Sequence, residues 1–301
     1  MHKVAVVTRT LARPLLLERA LNSVSAQTMK NFVWVIVNDG GEASAVDRLA
    51  GRARQSGIEV SVIHNAKSNG MEAASNAGVR GSVSNYVVIH DDDDSWAPEF
   101  LSATTAFLDT AGDYAGAVTH VSRITERITG SRIATIRREP HKPVIQAVQL
   151  ADMARSNLFP PIAFTYRRSL YDKLGGYDET MAILGDWDFN LRILLCGDVG
   201  VIPRALANYH VRSGEPLQDG AYANSITPGH ARQLIADAAY RNRWLRADIE
   251  AGRFGLGNLL AIGRLPKPPG QSASALARAA SWWSGLRGRI YKGGRKDYRN
   301  P

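Results

Sequence analysis

Four short apolar stretches in the first hundred residues, separated by segments with helical spacing, leave this chain few folds to choose from. KVAVVT (3–8), FVWVIVND (32–39), EVSVIHN (59–65) and NYVVIHD (85–91) are rich in β-branched residues and mostly apolar on both faces. Strands read this way when helices cover a parallel sheet on each side. Between them, residues 14–26 set Leu17, Leu21 and Val24 on one helical face, with Pro14 in the first turn. Residues 43–57 spell a helix closed by Gly57, and residues 70–80 a third. The pattern predicts an α/β fold with a Rossmann-like, mostly parallel sheet flanked by helices.

The texture changes after residue 115. AVTHVSRITERITGSRIATIRRE alternates with period two around TGS (129–131), which predicts an exposed β-hairpin insertion. A helix is expected at 98–108, and another at 186–196 with Cys196 on its apolar side. Two strands are expected at 199–203 and 206–212, and a long helix at 230–252.

The stretch VVIHDDDDSWAP (87–98) drives a buried strand into four consecutive aspartates. Two carboxylates about 6 Å apart repel by roughly 3 kcal/mol at an effective dielectric near 20. One resolution is a solvated turn, with Asp94 or Ser95 capping the next helix. The other is a divalent cation, for which hard carboxylate oxygens suit Mg2+ or Mn2+ beside a substrate phosphate. Asp39 ends strand two as Asp91–Asp94 end strand four, and ligands of open α/β sheets sit at those carboxyl ends. Strand alternation turns His90 away from the acids and into the core.

Charge is uneven. Of the net +9, residues 264–301 carry nine Lys/Arg against the single acid Asp297. The rest is near neutral, so no broad nucleic-acid surface is expected there. No run of 18 apolar residues occurs, and MHKVAVVTRT passes directly into a strand, so neither a membrane span nor a signal peptide is expected. A lone cysteine excludes an internal disulfide and suits a cytoplasmic setting. In ALARAASWWSGLRGRIYKGGRK, Trp282, Trp283, Leu286, Ile290 and Tyr291 interleave with cations. This predicts peripheral contact of residues 272–301 with an anionic membrane face, against the alternative of a solubilising tail.

Several ordered motifs over about residues 3–212 resemble the family-2 glycosyltransferases, which have the nucleotide-sugar-binding GT-A fold. VAVVTRT…LLERALNSVSAQT resembles the family's first strand and the S-x-x-x-Q helix end through Ser23 and Gln27. VWVIVNDGG resembles the second strand and its aspartate through Asp39. NAKSNGMEAASNAGVRGS matches through Gly70, Asn76 and Gly78, and IHDDDDSWAPEFL matches the D-x-D-D-x-W-x-P run through Asp91, Asp93, Asp94, Trp96 and Pro98. FTYRRSLYDKLGGYDE and GDWDFNLRIL resemble later segments, the second departing from an E-D pattern by Gly185.

The resemblance implies inverting transfer of a sugar from a nucleoside diphosphate sugar, UDP by default with dTDP and GDP open, to a hydroxyl of a glycan or lipid-linked acceptor. It implies Asp186 as general base, where a helix dipole would keep it ionised. It implies donor contacts at Thr8, Asp39, Gly70, Asn76, Asp91 and Asp92, and Mn2+ or Mg2+ held by Asp93 and Asp91, with His210 as a further ligand. The implied domains are a transferase domain at 1–215 (nucleotide-binding half about 1–98, acceptor half about 99–215), a helical extension at 216–264, and a Pro-containing linker with basic tail at 265–301. Asp188 and Arg192, four apart, are expected to pair structurally. Three rivals stand beside this. A haloacid-dehalogenase-type phosphatase fits D-x-D-x-S at Asp91, Asp93 and Ser95. A nucleotidylyltransferase would need a Gly-rich first loop that VVTRTLARP lacks. An inactive transferase-like binding module is left open by Gly185.

Overall fold

The computed structural model of the chain describes residues 1–141, 144–212, 222 and 230–264. The chain divides into Met1–Gly263 and Arg264–Pro301. The expected linker and basic tail lie outside the described residues from 265 onward.

In the first unit, β1 (His2–Thr10), β2 (Phe32–Asp39), β3 (Glu59–Asn65) and β4 (Ser84–Ile89) alternate with α1 (Pro14–Ser25), α2 (Ala43–Gln55) and α3 (Met71–Arg80). They pair in parallel in the order β3-β2-β1-β4. Every residue of β2 is buried, as its two apolar faces require of a strand sandwiched between helices. β3, at the edge, is only partly buried.

The chain continues through β5 (Ser95–Trp96), α4 (Phe100–Thr110), β6 (Gly116–Thr129), β7 (Arg132–Pro140) and α5 (Leu150–Arg155). After a 3-10 turn (Pro161–Ala163) come β8 (Phe164–Arg167), α6 (Arg168–Leu174), α7 (Gly185–Leu194), β9 (Val199–Arg212), α8 (His230–Glu250) and α9 (Leu256–Gly263). Beyond β4 the sheet runs β8-β6-β9-β5, antiparallel at β4/β8, β8/β6 and β9/β5 but parallel at β6/β9. The predicted hairpin is β6 and β7, closed at Thr129–Arg132. α8 is fastened by Arg241, whose guanidinium donates to Ala154 O and Leu260 O at 2.9 Å each. No helix among the described residues is long and apolar enough to cross a membrane.

Three local expectations are corrected. The two strands expected at 199–203 and 206–212 are one strand, β9. Its pairing with β6 slips where Thr119 meets Ile202 and His120 meets Ala205, which leaves Pro203 and Arg204 out of the ladder. A bulge is where a sheet tolerates a proline that has no N–H to give. Neither Asp94 nor Ser95 caps α4, whose N-cap is Glu99; Ser95 instead pairs in β5 with Asn208 of β9. Cys196 is exposed, because α7 ends at Leu194 before reaching it.

Candidate active site

The carboxyl ends of β1, β2 and β4, the start of α7 and the end of β9 meet around the aspartate run. The four acids form a turn beyond β4, closed by the Asp94 N–H donating to the Asp91 carbonyl at 3.1 Å, and their exposure alternates. Asp92 and Asp94 are sealed, at 0% and 1% exposure, whereas the side chains of Asp91 and Asp93 keep 21% and 14% of their surface.

Arginines, rather than solvent, answer their charge. Arg9 Nε donates to Asp91 Oδ1 at 2.7 Å. Arg13 pairs with Asp92 through Nε at 3.2 Å and through Nη2, and reaches Asp93 Oδ2 at 3.4 Å. Arg212 Nη2 donates to Asp93 Oδ2 at 2.7 Å. Arg19 donates to the Asp93 carbonyl and to both carboxylate oxygens of Glu126, at 2.9 and 2.8 Å. Repulsion within the run therefore does not by itself demand a metal ion. Burial would raise the Asp93 carboxyl, but Arg13 and Arg212 hold it below its ordinary value. Asp92 is pushed up to about 7, by burial first and by Asp93, with Arg13 opposing. Burial, then Asp93 and Asp91, push Asp94 well above the usual range.

Several residues expected to contact a ligand have partners within the protein. Both ring nitrogens of His210 are engaged inside the protein, Nε2 with Ser95 Oγ at 2.9 Å and Nδ1 with Glu126 Oε2 at 3.0 Å. Thr8 is fully buried and its hydroxyl accepts from Trp34 Nε1 at 2.8 Å. Asn76 uses its whole amide to tie α3 to the segment after α6. Its Nδ2 donates to Tyr177 O at 2.9 Å and Glu179 Oε1 at 2.8 Å, and its Oδ1 accepts from Tyr171 Oη and the Tyr177 N–H. Asp92, between Arg13 and Thr10 Oγ1, has no surface to offer a donor.

Asp39 organises the loop that leads into α3. It accepts from Asn65 Nδ2 at 2.8 Å, Ser68 Oγ at 2.6 Å and the N–H groups of Asn69 and Gly70. Burial would raise its carboxyl; these donors outweigh burial and lower it. Gly70, at φ +96°, is where the chain turns into α3. A side chain is strained in that region, so glycine is required. His90 lies in the core as expected, bonded to Ser23 Oγ at 3.1 Å and edge-on to Trp96.

Asp186 stands in the first turn of α7. Asn157 Nδ2 donates to it at 2.8 Å. The N–H of Trp187 at the helix start favours its ionised form, as expected, but does not outweigh burial. Burial raises its carboxyl, with Asp91 adding and the Trp187 N–H, Arg9 and Asn157 opposing. The residue before α7, Leu184, has φ +70°, and Ala12 in the loop after β1 has φ +52°. Non-glycine residues in that region carry strain of the kind that collects at functional sites. Asp188 and Arg192 pair at 2.7 Å as predicted, and Tyr240 Oη donates to Asp188 at 3.0 Å.

Sequence reasoning missed the arginines and Glu72. Glu72 is 4% exposed in the first turn of α3. Its Oε2 accepts from Arg9 Nη1 at 3.0 Å. Its carboxyl is pushed up to about 7, by burial first, with Asp186 and Asp91 adding and Arg9 opposing. The available signal was the cations of TRTLAR (8–13), at the same sheet edge as the acids.

A divalent cation fits the donor set in a limited way. Among the described residues no three or more His, Cys, Asp or Glu side chains converge on one point. Mg2+ and similar ions need only one or two carboxylates when substrate phosphates and water complete the shell. Asp91 and Asp93, the two acids of the run that reach the surface, meet that requirement.

Residues 5–175 match the family described as glycosyl transferase family 2. The chain is 30% identical over 190 residues to the uncharacterized glycosyltransferase YwdF of Bacillus subtilis, covering 63% of this chain and 67% of that protein. Among solved structures it is similar to S. aureus TarS 1–349 in complex with UDP-GlcNAc, with TM-score 0.59, 19% identity, 71% of this chain and 60% of that one. It is also similar to the mannosyltransferase PcManGT of Pyrobaculum calidifontis in complex with GDP-Man and Mn2+, with TM-score 0.52, 16% identity, 95% of this chain and 84% of that one. This chain thus spans less than two thirds of the TarS chain. The phosphatase and nucleotidylyltransferase alternatives give way to these likenesses. With its parallel β3-β2-β1-β4 core, acidic strand ends and a family match over more than half its length, the chain belongs to glycosyl transferase family 2 and has the GT-A fold.

Proposed function

We propose that the chain is an inverting glycosyltransferase that uses a nucleoside diphosphate sugar, UDP-linked in the first instance, and delivers the sugar to a hydroxyl of a glycan or lipid-linked acceptor. The observation that supports this reading is a half-buried carboxyl, Asp186, at the start of α7, next to Gly185, whose side-chain space is filled by Glu72 of the cluster that Arg9 joins to the surface-reaching Asp91. Asp186 takes the acceptor's hydroxyl proton. The oxygen so freed forms a bond to the anomeric carbon as the bond from that carbon to the diphosphate oxygen breaks. A single base with direct displacement inverts the anomeric centre. Asp91 and Asp93 would hold Mn2+ or Mg2+, whose contribution when bound is to offset the charge of the leaving diphosphate. Arg9 keeps Asp91 in place, and Arg13 and Arg212 do the same for Asp93. Asp39 and Gly70 shape the loop against which the nucleoside would lie.

Titrating the full chain with UDP, GDP and dTDP, each with Mn2+ and with EDTA, tests the donor and metal together. A nucleotide at a hundredfold over its Kd adds about 2.7 kcal/mol, worth roughly 5–10 °C in melting temperature for a domain of this class. UDP with Mn2+ should give that rise and EDTA should remove most of it. A melting temperature that no nucleoside diphosphate moves would overturn the reading.

We also place residues 272–301 at an anionic surface, on the strength of their sequence. Deleting them should release the chain from phosphatidylserine-containing vesicles in sedimentation and leave neutral vesicles unaffected. Equal partitioning of both forms would sink this.

A further inference from the structure

The start of α7 has a gap that another helix fills. A Cβ built on Gly185 would overlap the Oε1, Cγ and Cδ atoms of Glu72, reaching across from α3. Gly185 lies within a helix and outside the left-handed region, so its backbone angles do not demand glycine. The space does, because a neighbour's carboxylate stands where a side chain of residue 185 would begin. That carboxylate is held by Arg9, whose Nη1 donates to Glu72 Oε2, to Ser75 Oγ at 3.0 Å and to the Met71 carbonyl at 3.2 Å, while its Nε donates to Asp91. Glu72, Arg9 and Asp91 thus form a chain of alternating charge that runs from the surface at Asp91 to the buried Glu72, and its buried end lies against the residue that precedes Asp186.

We infer that Glu72 is a positioning residue for Asp186, delivering to the start of α7 a carboxylate that the backbone of α7 itself does not carry, and that Gly185 is glycine because Glu72 occupies its side-chain space. The inference deepens the proposed transferase reading and rests on Asp186 as base. Its two halves make separate demands. The steric half says that residues 72 and 185 cannot both carry a long side chain. The functional half says that the carboxylate matters more than the position it grows from.

A double-mutant cycle reads both. The full-chain variants are Glu72→Gln, Glu72→Ala, Gly185→Ala, Gly185→Glu, and the doubles Glu72→Ala/Gly185→Ala and Glu72→Ala/Gly185→Glu. Melting temperature is measured for all of them. UDP release is measured with water as acceptor, from UDP-glucose, UDP-galactose and UDP-N-acetylglucosamine with Mn2+. Glu72→Gln keeps the shape and loses the charge, and should lower kcat about 30-fold with donor KM within about threefold, the signature of an interaction made beyond simple binding. Gly185→Ala should lower the melting temperature in the parent and much less in the Glu72→Ala background, a coupling that neighbours in contact produce. Glu72→Ala/Gly185→Glu should recover turnover to within about fivefold of the parent. Parent-like turnover in Glu72→Gln would overturn the inference. So would a folded Glu72→Ala/Gly185→Glu variant no faster than Glu72→Ala, or a Gly185→Ala penalty equal in both backgrounds. If the parent chain releases no UDP from any of the three donors, the transferase reading fails on its own, and the melting cycle still decides the pairing of 72 with 185.

Discussion

Asp186→Asn should fold, bind UDP with Mn2+ as the parent does, and lose about 10²–10⁴-fold in turnover, the usual worth of a positioned general base. The amide is nearly isosteric with the carboxylate, and its oxygen can still accept from Asn157 Nδ2 and the Trp187 N–H. What it cannot do is take a proton. The same group sets a pH expectation. Burial raises the Asp186 carboxyl above its ordinary value, and a base works only when ionised. Turnover should therefore fall with acidification at a pH above that at which an exposed aspartate, with pKa near about 4, would protonate. The limb should vanish from the residual activity of the asparagine variant. Retained turnover would remove Asp186 from the mechanism. Loss of nucleotide binding together with turnover would make it a structural residue. A parent that binds UDP but transfers nothing would be the inactive binding module that Gly185 left open.

The fold was legible wherever the information is local. Period and burial wrote out β1 to β4 and α1 to α3, and the alternation around Thr129–Arg132 wrote out the hairpin. The helical spacing of Asp188 and Arg192 foretold their pair. Local reading failed at Pro203, because a bulge exists only relative to the partner strand β6. It did not reach the protein partners of Asn76, Thr8 and His210, which come from distant parts of the chain. Above all it failed for charge. The acids of the run are 82 residues from Arg9, 79 from Arg13 and 119 from Arg212. No window along the sequence contains both halves of those pairs, so four adjacent negatives looked uncompensated. Gly185 read as a missing acid for the same reason, since Glu72 is supplied from a different helix.

Removing the cation that faces Glu72 should cost little in acid and much in base. In the parent, Glu72 has a folded value of about 7 against an ordinary 4.5. A carboxyl raised on folding contributes stability that is fully present below its unfolded value and is lost as pH rises through the folded one. For Glu72 that loss runs from about 4.5 to about 7 and amounts to on the order of 3 kcal/mol. Arg9→Met keeps much of the buried stem and deletes the guanidinium that holds the value down. Glu72 then rises further, and the loss extends to higher pH. At pH 5.5 Glu72 is protonated in both proteins, so the variant forfeits hydrogen bonds worth about 1–2 kcal/mol. At pH 8.5 the parent holds a buried ion pair and the variant an unpartnered buried acid, a difference of about 3–5 kcal/mol. Asp91, the other partner of Arg9, is partly solvated and adds little. The melting temperature of Arg9→Met should therefore trail the parent by a few degrees at pH 5.5 and by several times that at pH 8.5. Adding Glu72→Gln should flatten the difference, since the double variant has no buried charge to strand. A deficit that is the same at both pH values would mean that Arg9 stabilises this corner by packing and neutral hydrogen bonds, and that Glu72 is not ionised beside it.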